Sequence, residues 1–172
     1  MIWPNVWAYS ARPKDCPPTS APTPIIWKAS DVIDRRVLID TGPMVAVFSE
    51  ADRHHSRCTD TLKTLGPPLF TCWPVVTEAA WLLRARPRSV YRLFDGFQNS
   101  VFRLLPLDAD DLPAIAAIMR RYEDSGLQLA DGALAHLAER ESIRTIFTTD
   151  RRDFSIIRLK RNRALTLLPE VR

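Results

Sequence analysis

The sequence predicts an α/β fold in which a parallel sheet is covered by helices on both faces. From about Arg35 onward, short apolar runs alternate with longer segments of helical periodicity, an order typical of parallel sheets. Glycine and proline separate many of these segments, as at Gly66, Pro67 and Pro68. With 172 residues, 46% of them hydrophobic, the chain is long enough for one domain with a substantial buried core.

Five short apolar runs are the predicted strands, because charge, glycine or proline bounds each of them. They are RVLID from Arg36, LFTC from Leu69, VFRLLPL from Val101, IRTIFTT from Ile143 and ALTLL from Ala164. Helical patterns lie between them: PMVAVFSE with ADRHHSRCTDTLKTL, which form one or two helices, then PVVTEAAWLLRA, PRSVYRLFDGFQNS, a helix from Asp108 to Tyr122, and GLQLADGALAHLAERES. Pro74 opens its helix at a position where proline is tolerated.

Residues 1–34 are predicted to form a proline-rich N-terminal extension that precedes a domain of residues 35–172. The first thirty residues hold six of the fourteen prolines and show neither helical nor alternating periodicity. Proline at this density prevents both helices and central strands. We therefore expect the extension to be loosely ordered.

The basic residues are unevenly distributed, although the formal net charge is only +4. Between Ser142 and Arg172, eight basic residues accompany three acidic ones. Basic surfaces attract the phosphates of nucleic acids, and we predict that Arg151 and Arg152, which directly follow Asp150, contact phosphate. A solvated surface that keeps the protein soluble is the alternative interpretation of the same charges.

The cysteines and the hydropathy disfavour several classes of protein. Cys16, Cys58 and Cys72 are an odd number without C-x-x-C spacing, so neither a disulfide framework nor a zinc site is expected. Charges or prolines interrupt every apolar run before the ~18 residues that a membrane span requires. The N-terminus also lacks the basic start and continuous apolar stretch of a signal peptide. We therefore expect a cytoplasmic protein.

Two aspartates lie at the ends of predicted strands. Asp40 ends RVLID and is followed by Thr41, and Asp150 follows IFTT. Ligands bind outside the carboxyl ends of the strands in such a sheet, so both acids are expected at the edge where chemistry takes place. Thr41 supports this site if its hydroxyl binds a ligand or water. The alternative is that each aspartate caps the helix that follows it.

Two further acids lie on the apolar faces of predicted helices. Glu78 shares its face with Val75, Ala79 and Leu82. Asp131 shares its face with residues at helical spacing, which are Leu127, Ala130, Leu134, Leu137 and Ala138. A buried carboxylate without a partner costs several kcal/mol or stays protonated, so it normally pairs with a cation or a metal. An ion pair with arginine is the alternative to a metal.

Four carboxylates that converge repel one another, and a divalent cation is the simplest remedy. Mg²⁺ takes oxygen ligands and keeps several waters, so a few acids hold it. Such ions activate a water and stabilise the charge on a phosphodiester under attack, which predicts a nuclease. Asp-Thr-Gly is also the signature of aspartic proteases, but it occurs once, and a helix is predicted after it. A protease is therefore disfavoured.

Four segments of the sequence resemble the PIN-domain ribonucleases and, within them, the VapC-like toxins of bacterial toxin–antitoxin pairs. They are VLIDTGPMVAVF, WPVVTEAAWLL, LQLADGALAHLAER and IFTTDRRDF, in that order, over roughly Arg35 to Pro169. The resemblance implies a three-layer PIN-like fold with a central parallel five-stranded sheet flanked by helices. It also implies endonucleolytic cleavage of RNA at a Mg²⁺ or Mn²⁺ site. The implied ligands are Asp40, Glu78, Asp131 and Asp150.

The same resemblance implies a homodimer and a small antitoxin, which blocks the site and joins the toxin on promoter DNA. Asp153 lies close to Asp150 in sequence, so either can be the fourth acid. Trp73 and Trp81 flank the Glu78 helix and are assigned to the core or to a dimer interface. Two alternatives stay open: a PIN-like module that binds nucleic acid or an antitoxin with little catalysis, and a PIN nuclease that processes RNA without being a toxin.

Overall fold

The computed structural model describes residues 36–169. The predicted N-terminal extension, residues 1–34, lies outside this range, as do residues 35 and 170–172. The described residues form a five-stranded parallel sheet with helices around it and one short hairpin, which confirms the predicted fold class. Within residues 36–169, no helix is both long enough and apolar enough to cross a lipid bilayer.

The elements are short, and each strand of the sheet is followed by one or two helices until the last. The strands are β1 (Val37–Ile39), β2 (Leu69–Thr71), β3 (Phe102–Leu104), β4 (Thr145–Phe147), β5 (Arg158–Leu159), β6 (Arg163–Ala164) and β7 (Thr166–Leu168). The helices are α1 (Thr41–Phe48), α2 (His55–Thr64), α3 (Trp73–Leu83), α4 (Pro87–Gln98), α5 (Leu112–Arg121), α6 (Leu129–Arg140) and α7 (Arg151–Ile156). Strands β5 and β6 form the antiparallel hairpin.

The sheet has the strand order β3-β2-β1-β4-β7, and all neighbouring strands are parallel. The central pair is β1 and β4, in which Leu38 lies opposite Ile146 and Ile39 opposite Phe147. All four side chains are fully buried. Strands of a parallel sheet that are covered on both faces carry continuous apolar residues, which explains why these two runs are so clear in the sequence.

The strand order reverses at β1, and this reversal places the candidate site. The chain passes from β1 to β2 and β3 on one side, then returns to β4 and β7 on the other. Crossovers between parallel strands are right-handed, so the two directions put their helices on opposite faces and give three layers. Ligands bind outside the carboxyl ends of the strands at such a switch point, here β1 and β4.

Helices α5 and α6 pack against each other at a glycine. A Cβ at Gly132 of α6 would lie 2.8 Å from Met119 Cγ and 3.4 Å from Ile115 Cγ2, both in α5. The first distance is too short for real carbon atoms, so a larger residue would require the Met119 side chain or the helices to shift. Helix α6, which carries Asp131, is therefore packed tightly against α5.

Asp111 joins the start of α5 to α6 through charged hydrogen bonds. Its Oδ2 accepts from Arg140 Nη1 at 2.9 Å and from the Asp108 N–H at 3.0 Å, and its Oδ1 lies 2.7 Å from His136 Nε2. These contacts, the Asp108 N–H first, lower the pKa of Asp111 to about 2. The carboxylate is therefore ionised at neutral pH and holds the C-terminal half of α6 in place.

Some predictions of local structure were incomplete or wrong. Helix α7 and the hairpin of β5 and β6 were not predicted, because elements of six and two residues are too short to show a period. The prediction that Leu82 shares the buried face of Glu78 is wrong, since Leu82 is 50% exposed. Trp73 and Trp81, at 62% and 63% exposure, do not belong to the core. The buried face of α3 is narrower than the helical period suggests.

We expect Asp111→Asn to destabilise the protein at neutral pH and to have a smaller effect in acid. The folded pKa of Asp111, about 2, lies below the unfolded value of about 3.9. Its stabilisation is therefore complete above about pH 4 and is lost as the pH falls toward 2. Urea denaturation of wild type and variant at pH 6 and at pH 3 measures the difference. Asp110→Asn, at an exposed neighbour, is the control. A difference between wild type and Asp111→Asn that stays constant with pH contradicts this assignment.

Candidate active site

Asp40 lies at the switch point, directly after β1, and it caps α1. Its N–H donates to the Phe147 carbonyl in β4 at 3.0 Å. Its carboxylate accepts from the Thr41 N–H at Oδ1, 2.7 Å, and from the Thr148 hydroxyl at Oδ2, 2.8 Å. The residue is only 5% exposed, so this charge is held inside the protein by the ends of the two central strands.

Thr148 is a site residue that the sequence did not reveal. Its side chain is fully buried, and its Oγ1 both donates to Asp40 Oδ2 and accepts from the Asp150 N–H at 2.9 Å. One hydroxyl thus links the first and fourth of the predicted acids. The available signal is a hydroxyl that directly follows a buried apolar strand, but many strand-to-loop turns share that pattern.

Glu78 lies on α3, where a hydroxyl from α1 orients it. Thr41 Oγ1 donates to Glu78 Oε2 at 3.0 Å, and Thr41 is buried whereas Glu78 is half-buried. Because α1 packs against α3, the residue after Asp40 meets the glutamate. The hydroxyl of Thr41 therefore positions the Glu78 carboxylate.

Asp131 lies in the first turn of α6, and α6 also contacts α3. Its Oδ2 accepts from the Gln128 N–H at 2.9 Å, which caps the helix. The side chain is half-buried among Ala130, Leu134 and the other apolar residues of the same face. The acid thus belongs to the edge of the core, as the helical spacing predicts.

Asp150 and Asp153 lie where α7 begins. Asp150 caps α7, since its Oδ1 accepts from the Asp153 N–H at 3.1 Å. Asp150 is exposed and Asp153 is half-buried. Asp150 therefore ends the loop that Thr148 anchors after β4, and Asp153 lies in the first turn of α7.

The pKa values of Asp40 and Asp131 respond to the charges of the other acids. Burial raises the pKa of Asp40 to about 7, and the charges of Asp131 and Glu78 also raise it. Burial raises the pKa of Asp131 too, with further contributions from Glu78, Asp153 and Asp150, in that order. Asp40, Glu78, Asp131, Asp150 and Asp153 are therefore one set of interacting carboxylates, called the acid cluster below.

The two alternative interpretations of these acids, an ion pair with a basic side chain and a helix cap, have different outcomes. Among residues 36–169, no lysine or arginine forms a salt bridge with any member of the acid cluster. Asp40 and Asp150 do cap helices, as the helix-cap interpretation predicts for both residues. A carboxylate has about four lone-pair sites, so a helix cap leaves room for a further ligand.

The sequence comparison decides the family. A model of the PIN domain matches residues 37–160, which is most of the chain. The chain belongs to the PIN domain family. This confirms the family predicted from the four sequence segments.

Two proteins of Mycobacterium tuberculosis are similar to this PIN domain protein. The ribonuclease VapC26 is 29% identical over 138 residues, which cover 77% of this chain and the whole of that protein. The crystal structure of VapC20, a toxin that cleaves the sarcin–ricin loop, has a TM-score of 0.60 at 17% identity and covers 64% of this chain and 86% of its own. The second likeness shows the fold alone, and together they confirm the resemblance to VapC-like proteins.

The acid cluster of this PIN domain fits a hard divalent cation by its chemistry. It offers only carboxylate oxygens, which suit Mg²⁺ or Mn²⁺. Within the described residues, no three acidic, histidine or cysteine side chains converge closely enough to hold a metal ion as they stand. Hydroxyl and amide donors of the chain hold the carboxylates instead, so coordination requires the side chains to turn toward one another.

The two arginines predicted to contact RNA have different surroundings. Arg151 is half-buried and donates to the Pro169 carbonyl at 2.8 Å, so part of its guanidinium supports the end of β7. Arg152 is exposed in the first turn of α7. Arg152 is therefore the more accessible of the two beside Asp150.

The loop between β4 and α7 approaches α1 at a position where only glycine fits. A Cβ at Gly42 would overlap Thr149 Oγ1 and lie 3.2 Å from Thr149 Cβ. Gly42 lies two residues after Asp40, and Thr149 immediately precedes Asp150. This contact therefore sets the separation of the two segments that carry these acids.

Gly42→Ala is expected to destabilise the PIN domain by about 1–3 kcal/mol, the usual cost of overpacking. Thr149→Ala in the same chain should recover part of this loss, because it removes the hydroxyl that the new methyl group meets. Urea denaturation of both single variants and the double variant measures the coupling. Gly66→Ala is the control, since a Cβ there meets nothing within 4 Å. Additive losses in the double variant would mean that the two residues do not touch.

Proposed function

We propose that this protein is a metal-dependent endoribonuclease and the toxin of a toxin–antitoxin pair. The observation that carries the proposal is the acid cluster, whose buried charges have no cationic side chain as partner among residues 36–169. Membership of the PIN domain family and the similarity to the ribonuclease VapC26 support the same activity.

The proposed cofactor is Mg²⁺ or Mn²⁺. Asp40, Glu78 and Asp131 hold it, together with Asp150 or Asp153. Asp153 acts more strongly than Asp150 on the pKa of Asp131 and is less exposed, which favours Asp153 as the fourth acid. When bound, the ion supplies a water activated for attack and stabilises negative charge on the phosphodiester.

The chain itself supplies orientation. The Thr148 hydroxyl and the Thr41 N–H fix the Asp40 carboxylate, while the Thr41 hydroxyl directs Glu78 toward the same edge of the sheet. Such supporting hydrogen bonds typically change metal affinity or activity by about 10- to 100-fold. Arg152, exposed beside the acid cluster, binds the phosphate backbone. Arg151 contributes those N–H groups of its guanidinium that do not bond to the Pro169 carbonyl.

The proposed protein partners are a second copy of the chain and a small antitoxin, which also brings the toxin to promoter DNA. Helices α3 and α4 expose large apolar side chains, which supports at least one protein interface on this part of the surface. These side chains are Trp81, Leu82, Tyr91 and Phe94. A binding module with little catalysis is less well supported, because it has no need of the acid cluster.

Asp40→Asn and Glu78→Gln are expected to reduce Mg²⁺-dependent cleavage of RNA roughly 100-fold or more, since each removes a ligand charge worth several kcal/mol. Both should also relieve growth arrest when the protein is expressed. Gel assays of RNA cleavage and growth curves measure the two effects. The control is Asp60→Asn, because Asp60 is exposed on α2 and outside the acid cluster. Cleavage that persists in EDTA would refute the proposal.

Asp131→Asn is expected to raise the thermal midpoint in EDTA and to remove most of the stabilisation by Mn²⁺. The variant has one repelling carboxylate fewer, and its amide oxygen still accepts from the Gln128 N–H. A change of about 1 kcal/mol shifts the midpoint by about 2–4 °C for a chain of this length. Calorimetry with and without Mn²⁺ measures both effects. An equal Mn²⁺ shift in wild type and variant rules Asp131 out as a ligand.

A further inference from the structure

The hairpin of β5 and β6 concentrates positive charge on one short segment, called the basic hairpin below. Four of the six residues from Arg158 to Arg163 are basic, and no acidic residue occurs between positions 154 and 169. Lys160, Arg161 and Arg163 are exposed, whereas Arg158 is half-buried. The hairpin leads into β7, at the edge of the sheet opposite β3.

Backbone contacts anchor the basic hairpin to the rest of the domain. The Arg158 N–H donates to the hydroxyl of Tyr122, at the end of α5, at 2.9 Å. Leu159 is buried, and the Lys160 N–H donates to Glu139 Oε1 in α6 at 3.1 Å. The turn between the two strands is therefore held on α6, the helix that also contributes to the acid cluster.

The turn of the basic hairpin holds an arginine where glycine or asparagine is usual. Arg161 and Asn162 both have left-handed backbones, with φ of 60° and 57°. Hairpin turns with this conformation favour glycine and asparagine, because a Cβ makes the left-handed region unfavourable for most residues. Asn162 fits the preference, whereas Arg161 does not. An unfavourable backbone that is retained in this way is typical of a side chain with a function.

Two guanidinium groups of the basic hairpin have no acidic partner in the described part of the chain. Arg161 forms no hydrogen bond and no ion pair there. Arg163 donates from Nε to the Lys160 carbonyl at 3.3 Å, which leaves its other N–H groups available. Lys160 differs, because its Nζ lies 3.6 Å from Glu139 Oε1.

The chemistry of this surface favours a nucleic-acid backbone over a protein as its partner. The centres of protein interfaces are depleted of charge and enriched in aromatic residues. The basic hairpin exposes no large apolar side chain, and its exposed residues are Lys160, Arg161, Asn162, Arg163 and Ala164. Interfaces with nucleic acids are polar and strongly positive, as this surface is.

The basic hairpin is separated from the acid cluster by α7. This helix begins directly after Asp150 and has six residues, so it is about 9 Å long at the usual rise per residue. Arg158 follows two positions after its end. A strand whose phosphodiester is at the acid cluster therefore reaches the basic hairpin only if it continues for several nucleotides.

We propose that the basic hairpin binds backbone phosphates of the RNA substrate several nucleotides away from the bond that is cut, through Arg161 and Arg163. The inference rests on the proposed ribonuclease function. The hairpin contributes affinity for long substrates and no chemistry, because its guanidinium groups are remote from the phosphodiester at the acid cluster.

The first test measures RNA binding in EDTA, where no cleavage is needed. The full chain is titrated against a fluorescent uridine oligonucleotide of about 16 nucleotides at several KCl concentrations. Arg161→Asn removes the charge and places at this position a residue that tolerates the left-handed backbone. It should weaken binding about three- to tenfold and reduce the salt slope by about 0.7, the value for one phosphate contact on a single strand. Adding Arg163→Gln should bring the reduction to about 1.4.

Two further variants are the controls for this measurement. Arg88→Gln removes one positive charge from an exposed residue of α4, which packs against α1, α3 and β3, and should leave affinity and slope unchanged. Arg161→Lys keeps the charge and should retain most of the affinity. Equal losses in Arg161→Asn and Arg88→Gln would overturn the proposal, because only net charge would then matter. Equal losses in Arg161→Asn and Arg161→Lys would overturn it too.

The second test compares two substrates that share one cleavage site mapped with Mn²⁺. One continues well past this site on both sides, and the other ends close to it. Arg161→Asn should raise KM for the long substrate without changing kcat, and should change neither value for the short one. An equal rise in KM for both substrates overturns the proposal and leaves the ribonuclease intact. Failure of the ribonuclease proposal is distinct: neither substrate is cleaved, while the weaker binding of Arg161→Asn in EDTA remains.

Discussion

The hydroxyl of Thr148 is the contact on which the candidate site depends. It donates to Asp40 and accepts from the N–H of Asp150, so one buried atom fixes a carboxylate and the end of the loop that leads into α7. Hydrogen bonds to a charged group are strong where water is excluded, as it is here. The contact exists because β1 and β4 are neighbours at the switch point, although Asp40 and Thr148 are 108 positions apart.

Around this contact the protein places several acidic side chains. Burial, and after it the charges of the neighbouring acids, raise the pKa of Asp40 and Asp131. This cost to the folded chain is offset by the apolar core beneath the acids.

Much of the fold and most of the acids were predictable, because burial leaves a periodic trace in sequence. Runs such as VLI and TIF are apolar since both faces of their strands are covered, and Asp131 is conspicuous because its helix is otherwise apolar on that face. Leu82 was misplaced because helical spacing does not reveal how wide the buried face is. Thr148 was missed for another reason: its partner Asp40 comes from a distant segment, and local patterns carry no record of such a pairing.

The separation of Asp40 and Thr148 along the chain also determines when the site can exist. Synthesis begins at the N-terminus, and domains fold as their segments emerge. The carboxylate of Asp40 is made first, and its hydroxyl partner and the loop that ends at Asp150 are made more than a hundred residues later. A nascent chain therefore cannot assemble the centre before Thr148 has been made. For the proposed ribonuclease, catalysis can begin only after this residue has been incorporated.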